Sequence, residues 1–232
     1  MSSWHTPKSN ISNLLLGTNE ALYWIGFLFA DGYINHEDLR LRLALQKSDL
    51  GHLQKFATFI ENSNIRERKK CFEVLARDKE QLTRLINQFD FKPHKTKNPP
   101  DINIFEKMND SQFLSFFVGF VDADGSIRIN KFENPVMEIG IDGMWLSILE
   151  YFRVRILSAL NITDDLLIRM PKIRSDRCSR LRITNSQILR YLHFYLIKLR
   201  KNTEYGNYKN RSERQFKERI EKYKYLIISD EM

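Results

Sequence analysis

Two aspartates, Asp31 and Asp124, each close a copy of one nine-residue pattern. The segments from Trp24 to Gly32 and from Phe117 to Gly125 agree at five of nine positions, pairing Gly26 with Gly119, Phe27 with Phe120, Ala30 with Ala123, Asp31 with Asp124 and Gly32 with Gly125. The offset is 124 minus 31, or 93 residues, and such a match arises by chance well under once in ~50 chains of this length. A lone Asp-Gly pair usually just opens a hairpin. Two matched copies predict a pair of carboxylates facing each other across a pseudo-twofold axis, at the negative ends of two helices. Such acids repel until a cation joins them. Hard Mg²⁺, held by carboxylate, backbone carbonyl and water, suits that setting and suits phosphodiester hydrolysis. Removing one charge, as in Asp31→Asn, is then expected to stabilise the metal-free protein.

The elements that must position these acids repeat as well. Gly26 and Ala30, like Gly119 and Ala123, stand four residues apart, giving each motif helix a small-residue stripe along which two backbones can approach. Gly32 and Gly125 are expected to end the helices in the left-handed conformation. Each helix is followed by a hairpin, including the alternating run Leu39 to Gln46, and then by a helix: Ser48 to Asn62, with Ser48 as its cap, and Met144 to Leu160. Strand candidates Ile65 to Arg68, Cys71 to Ala76, Leu166 to Met170 and Arg180 to Thr184 come next, with closing helices at Lys79 to Phe89 and Gln187 to Leu199. This order predicts an α+β protein of two pseudo-symmetric αββαββα units. Residues 1–19 form an N-terminal extension, 20–90 the first unit, 91–112 a proline-bearing linker, 113–200 the second unit and 201–232 a basic C-terminal extension.

Composition narrows the partners. The chain has 232 residues and a net charge of +8, favouring a polyanion such as nucleic acid. Ten Lys or Arg against four Glu between Lys198 and Lys224 supply +6 of that, leaving +2 for the rest. Its most apolar run, Ala21 to Ala30, is too short to span a bilayer. The two cysteines lack paired metal-ligand spacing, which argues against zinc and fits a reduced intracellular compartment. Neither a zincin nor a P-loop motif is present.

Both nine-residue segments resemble the signature of the LAGLIDADG homing endonucleases, and the chain is similar to single-chain, two-motif members over about residues 20 to 200. That resemblance implies two antiparallel sheets forming a DNA-embracing saddle, a monomer, two or three Mg²⁺ ions, and double-strand cleavage at a long target in the service of intron or gene mobility. It implies that Asp31 and Asp124 hold metal together with the carbonyls of Ala30 and Ala123. At the sixth motif position Phe29 stands where the second copy has Asp122. The resemblance further implies that Gln46 and Lys47 order the attacking water and place a cation by the scissile phosphate. Asp142 and Gly143 occupy the equivalent places in the second half, so that half lacks the lysine; two outcomes are open, replacement by Arg128, Lys131 or Lys172, or cutting of the two strands at unequal rates.

On the strands, Arg40, Arg42 and Gln46 alternate with leucines, Arg128 and Asn130 with Ile127 and Ile129, and Arg180 and Arg182 with Leu181 and Ile183. With Arg66, Arg68, Lys70 and Arg169 these make a surface able to bond base edges in a major groove. Two other functions fit the same fold: a maturase that binds intron RNA, and a cleavage-defective DNA-binding regulator. The compartment is expected to be an organelle or a prokaryotic or phage-infected cytoplasm.

Overall fold

A computed structural model of the chain describes residues 9–62, 64–129, 135–164, 167–173, 177–189 and 191–192. Asn130, Lys131, the C-terminal extension and most of the closing helix at 187–199 lie outside the described residues, as does the side chain of Arg128.

The first half runs α1 (Asn19–Ala30), β1 (Gly32–Asn35), β2 (Arg40–Gln46), α2 (Leu50–Phe59), β3 (Ile65–Glu67), β4 (Cys71–Ala76) and α3 (Lys79–Phe89). After the short α4 (Asn103–Glu106) the pattern repeats as α5 (Asp110–Asp124), β5 (Ser126–Ile129), β6 (Pro135–Asp142), α6 (Leu146–Ala159), β7 (Lys172–Ile173) and β8 (Cys178–Ile183). Residues 186–189 and 191–192, within the stretch expected as the closing helix, are helical. Each half builds one antiparallel four-stranded sheet of the same order, β1-β2-β4-β3 and β5-β6-β8-β7. This is the expected α+β architecture.

Local chemistry explains the starts of the motif helices. Thr18 accepts a hydrogen bond from the Ala21 amide at 3.1 Å, while Asn109 and Gln112 form a reciprocal capping box. Every residue from Ala21 to Phe29 and from Phe113 to Ala123 is buried, because α1 and α5 pack on each other between the two sheets. Alternation sets the inner face of each sheet: Leu41, Leu43, Leu45, Val74 and Ala76 in the first, Met137, Ile139, Ile141, Leu181 and Ile183 in the second. Asp78 caps α3, accepting from the Gln81 amide at 3.0 Å, and its Leu82, Leu85 and Phe89 stripe turns inward.

Several boundaries differ from the sequence expectation. Ser48 lies in a 3₁₀ turn, Lys47–Asp49, and Asp49 precedes α2 without a side-chain cap. Of the expected strand Leu166 to Met170, the described part, Leu167 to Met170, is not a strand; Ile168 makes one isolated bridge to Ile183, and the pairing strand is Lys172–Ile173. Pro171 between them cannot donate to a ladder. The second motif helix starts at Asp110, inside the stretch read as linker. Ile11 and Leu14 of the N-terminal extension are fully buried, so that segment belongs to the core.

Candidate active site and sheet surfaces

The centre is made by the two helix ends. A Cβ placed on Gly26 would lie 2.0 Å from the Phe116 carbonyl oxygen, and one on Gly119 would lie 2.0 Å from that of Tyr23. The backbones of α1 and α5 thus touch where the small-residue stripes fall, and this contact carries Asp31 and Asp124 together on neighbouring helix ends. Asp31 follows α1 with its amide bonded to Phe27 O at 2.9 Å, and the Gly125 amide bonds Val121 O at 2.8 Å. Neither motif glycine is left-handed: Gly125 has φ −72° and ψ 153°, and among the described residues Gly17 is the one glycine at positive φ. Glycine is needed there for a different reason. A Cβ on Gly32 would sit 2.6 Å from Leu28 O, and on Gly125 2.5 Å from Val121 O, because the strand leaves the helix across its own last turn.

A lysine outside both motifs enters this centre. Lys95 Nζ donates to Phe29 O at 2.7 Å and to Ala30 O at 2.8 Å, the carbonyls at the end of α1. Its segment is pinned by the second half, since Trp145 Nε1 donates to Lys95 O at 3.2 Å and Thr96 O at 3.0 Å. Trp145 itself is fully buried. Phe91, earlier in the same segment, stacks on Phe29 with ring centroids 4.0 Å apart, so the sixth motif position of the first half holds the linker down instead of carrying an acid. Its counterpart Asp122 is buried and accepts from Tyr23 Oη, whose oxygen is 3.1 Å from His52 Nε2. That polar cluster joins the two halves in the interior.

Burial pushes the Lys95 ammonium down to about 8 from an ordinary 10.5, against the opposing pull of Asp124 and Asp31. Below pH 8 both folded and unfolded chains carry the proton and the burial cost is present in full. From pH 8 to 10.5 the folded protein loses that proton first, and the cost is released. Wild-type protein should therefore gain stability relative to Lys95→Met across that window, by up to about 1.4 kcal/mol per pH unit, measurable by urea unfolding. The same ammonium reverses the expected effect of Asp31→Asn. With a cation already beside the acids, loss of one carboxylate removes a favourable partner, so metal-free Asp31→Asn should melt no higher than wild type in a calorimetric scan.

The site fits a divalent cation. Two carboxylates and a carbonyl already engaged by an ammonium create the negative potential a cation needs. Among the described residues no cluster of three or more His, Cys, Asp or Glu could hold a metal by itself, so water and substrate oxygens would have to complete the shell of an ion held there.

The flanking positions are unequal. Gln46 is exposed at the end of β2, and Lys47 forms an ion pair with Glu67 while lying 5.8 Å from the centre of the Phe72 ring. Asp142 ends β6 and caps the next turn, accepting from the Met144 amide at 3.0 Å. Gly143 takes the place equivalent to Lys47, with its amide on Arg177 O at 2.9 Å, and a Cβ there would be 3.0 Å from that oxygen.

The sheet faces opposite the helices carry most of the expected basic residues. Arg42 bonds Glu73 at 2.9 Å and Arg68 bonds it at 2.5 Å; Arg66 stands opposite Glu73 in the β3–β4 register. Arg180 and Arg182 lie 3.1 and 3.7 Å from Glu138. Arg40 pairs with Asp38 at 2.5 Å, and Lys70 and Arg169 are exposed outside the strands. Glu73 is 2% exposed and Glu138 8%, so each sheet seats two arginines on one buried carboxylate. Sequence reasoning missed Lys95, Trp145 and this role of the two glutamates. An acid at an outward strand position was the available sign of the glutamates; nothing in its spacing marked Lys95.

No family model matches the chain, and no curated protein does. Solved structures do. The chain is similar to the LAGLIDADG meganuclease I-AabMI bound to uncleaved DNA, at TM-score 0.56 and 9% identity over 88% of this chain and 90% of that one. It is similar to I-SmaMI bound to uncleaved DNA in the presence of calcium ions, at 0.53 and 14% over 89% and 93%. A third match is the LAGLIDADG homing endonuclease I-GzeII in complex with its DNA target, at 0.52 and 11% over 90% and 93%. The repeated helices and the two antiparallel sheets thus make up the LAGLIDADG homing-endonuclease fold.

Proposed function

We propose that this chain is a site-specific endonuclease that makes Mg²⁺-dependent double-strand breaks at a long asymmetric DNA target, acting as a monomer and serving the mobility of an intron or of its own gene. The observation that carries the reading is the meeting of Asp31 and Asp124 at the ends of two touching helices, between two arginine-bearing sheets. Bound Mg²⁺ would supply an activated water and stabilise the leaving oxygen. Asp31, Asp124 and the carbonyls of Ala30 and Ala123 would hold it. Gln46 would order the water and Lys47 would bind phosphate once its pairing with Glu67 yields to DNA, while Asp142 would orient the second-half turn it caps. DNA-bound neighbours of the same fold support a duplex as the substrate.

Arg40, Arg42, Arg66, Arg68, Lys70, Arg128, Asn130, Arg169, Arg180 and Arg182 would contact the duplex, with the paired arginines held in fixed directions suited to base edges. Glu73→Gln should free Arg42 and Arg68, which then follow phosphates. Binding to random duplex should tighten, with a salt slope steeper by about 2, one for each freed arginine, as fluorescence anisotropy across a salt series would reveal. An unchanged slope would mean that those arginines stay away from phosphate with or without Glu73.

The central test selects cleaved sites from a randomised duplex library with Mg²⁺ and with EDTA. Recovery of one long site with Mg²⁺ alone supports the proposal. Binding enrichment without cleavage indicates a regulator, and no duplex enrichment with splicing of an intron RNA indicates a maturase.

A further inference from the structure

We infer that Lys95 is a resident counter-ion of the carboxylate centre, and that a divalent cation enters the Ala30 side of that centre only by displacing its ammonium. The inference rests on the metal-centre reading above. Three observations carry it. First, Lys95 Nζ occupies the lone pairs of Ala30 O and Phe29 O at 2.8 and 2.7 Å, and the Ala30 oxygen is the one a metal ion would need. Second, the ammonium is electrostatically coupled to both Asp31 and Asp124. A dication on the same oxygens would meet a positive charge at bonding distance, a repulsion that water cannot screen in a partly buried site. Third, Lys95 is placed there by construction: its backbone is clamped by Trp145 and Phe91 of the same segment is stacked on Phe29.

The lysine also has somewhere to go. It lines an open groove whose walls are Gly32, Tyr33 and Ile34 on one side and Phe91, His94 and Thr96 on the other. A flexible four-carbon stem can swing into that groove while the clamped backbone stays still. Metal binding at this side therefore carries the cost of breaking two charge-assisted hydrogen bonds, and the displaced ammonium remains beside the centre.

Calcium titration of the full chain without DNA, followed by isothermal calorimetry, tests this. Lys95→Met and Lys95→Gln should each bind Ca²⁺ at least about tenfold more tightly than wild type, which corresponds to 1.4 kcal/mol. Lys92→Met, which removes a neighbouring charge paired with Asp90 at 3.1 Å, should change affinity less than twofold. In wild-type protein, reductive methylation read by mass spectrometry should find Lys95 protected without Ca²⁺ and modified with it. Both measurements can fail. Equal or weaker binding by both Lys95 variants, or unchanged labelling while Ca²⁺ binds, overturns displacement and leaves the metal centre intact. Absence of Ca²⁺ binding in wild type and in both variants overturns the metal-centre reading together with the inference.

Discussion

Asp124→Asn should reduce cleavage of the selected target by ~10³-fold or more, with DNA affinity changed only a few-fold. The two effects separate because Asp124 sits at the helix junction, away from the arginines that would grip the duplex. Amide for carboxylate keeps the shape of the side chain but removes the charge that a hard cation requires. Asp31→Asn should match it, since the two acids end equivalent helices, and the double variant should lose little beyond either single one because the two carboxylates act as a unit. Single-turnover cleavage with Mg²⁺, together with binding in Ca²⁺, gives both numbers. If either variant cuts one strand at the wild-type rate, the two acids serve separate strand-cleavage sites and the shared centre is wrong.

The parts of the fold that were legible in the sequence are those written in periodicity. The doubled motif placed two helices and their acids, and the leucine alternation of Leu41, Leu43 and Leu45 assigned the buried face of β2 correctly. Elements governed by a single contact were not legible. Ser48 has the chemistry of a cap, but the chain turns through a 3₁₀ segment before α2 can start. The left-handed reading of Gly32 and Gly125 rested on glycine's conformational freedom, whereas the constraint is a close approach to a carbonyl, which no local pattern encodes.

The centre shows the same division. From their positions two helix-end carboxylates are expected to repel each other and to call for a cation. Its source was not legible, because Lys95 comes from a segment whose sequence reads as punctuation between the halves, and only the tertiary hydrogen bonds of Trp145 bring it to α1. Likewise Glu73 and Glu138 look like ordinary outward strand residues until the register puts arginines around them. Long-range placement of a single charged side chain leaves no periodic trace.

Gly26→Ala should be among the most damaging single-methyl additions the chain can receive, costing about 3 kcal/mol or more in unfolding free energy. The added carbon would fall 2.0 Å from Phe116 O, 2.9 Å from Phe116 C and 2.9 Å from the Phe120 amide nitrogen. All three are backbone atoms of a helix buried on every side, so no rotamer change can relieve the clash. The helices must separate, which loosens the packing of Phe29 against Phe116 at the interface and moves Asp31 away from Asp124. Gly119→Ala meets Tyr23 O at the same 2.0 Å and should cost as much. The double variant should cost less than the sum, because one separation relieves both contacts and neighbouring sites couple. Gly140→Ala is the control: its Cβ would approach nothing nearer than the flexible Arg180 side chain at 3.8 Å, and its effect should stay within about 0.5 kcal/mol. Urea midpoints at constant slope report these differences. Any Gly26→Ala protein that remains folded should still cut poorly, since the helix contact that fixes stability also sets the spacing of the acids. A stable and fully active Gly26→Ala protein would break the link between the small-residue contact and the catalytic centre.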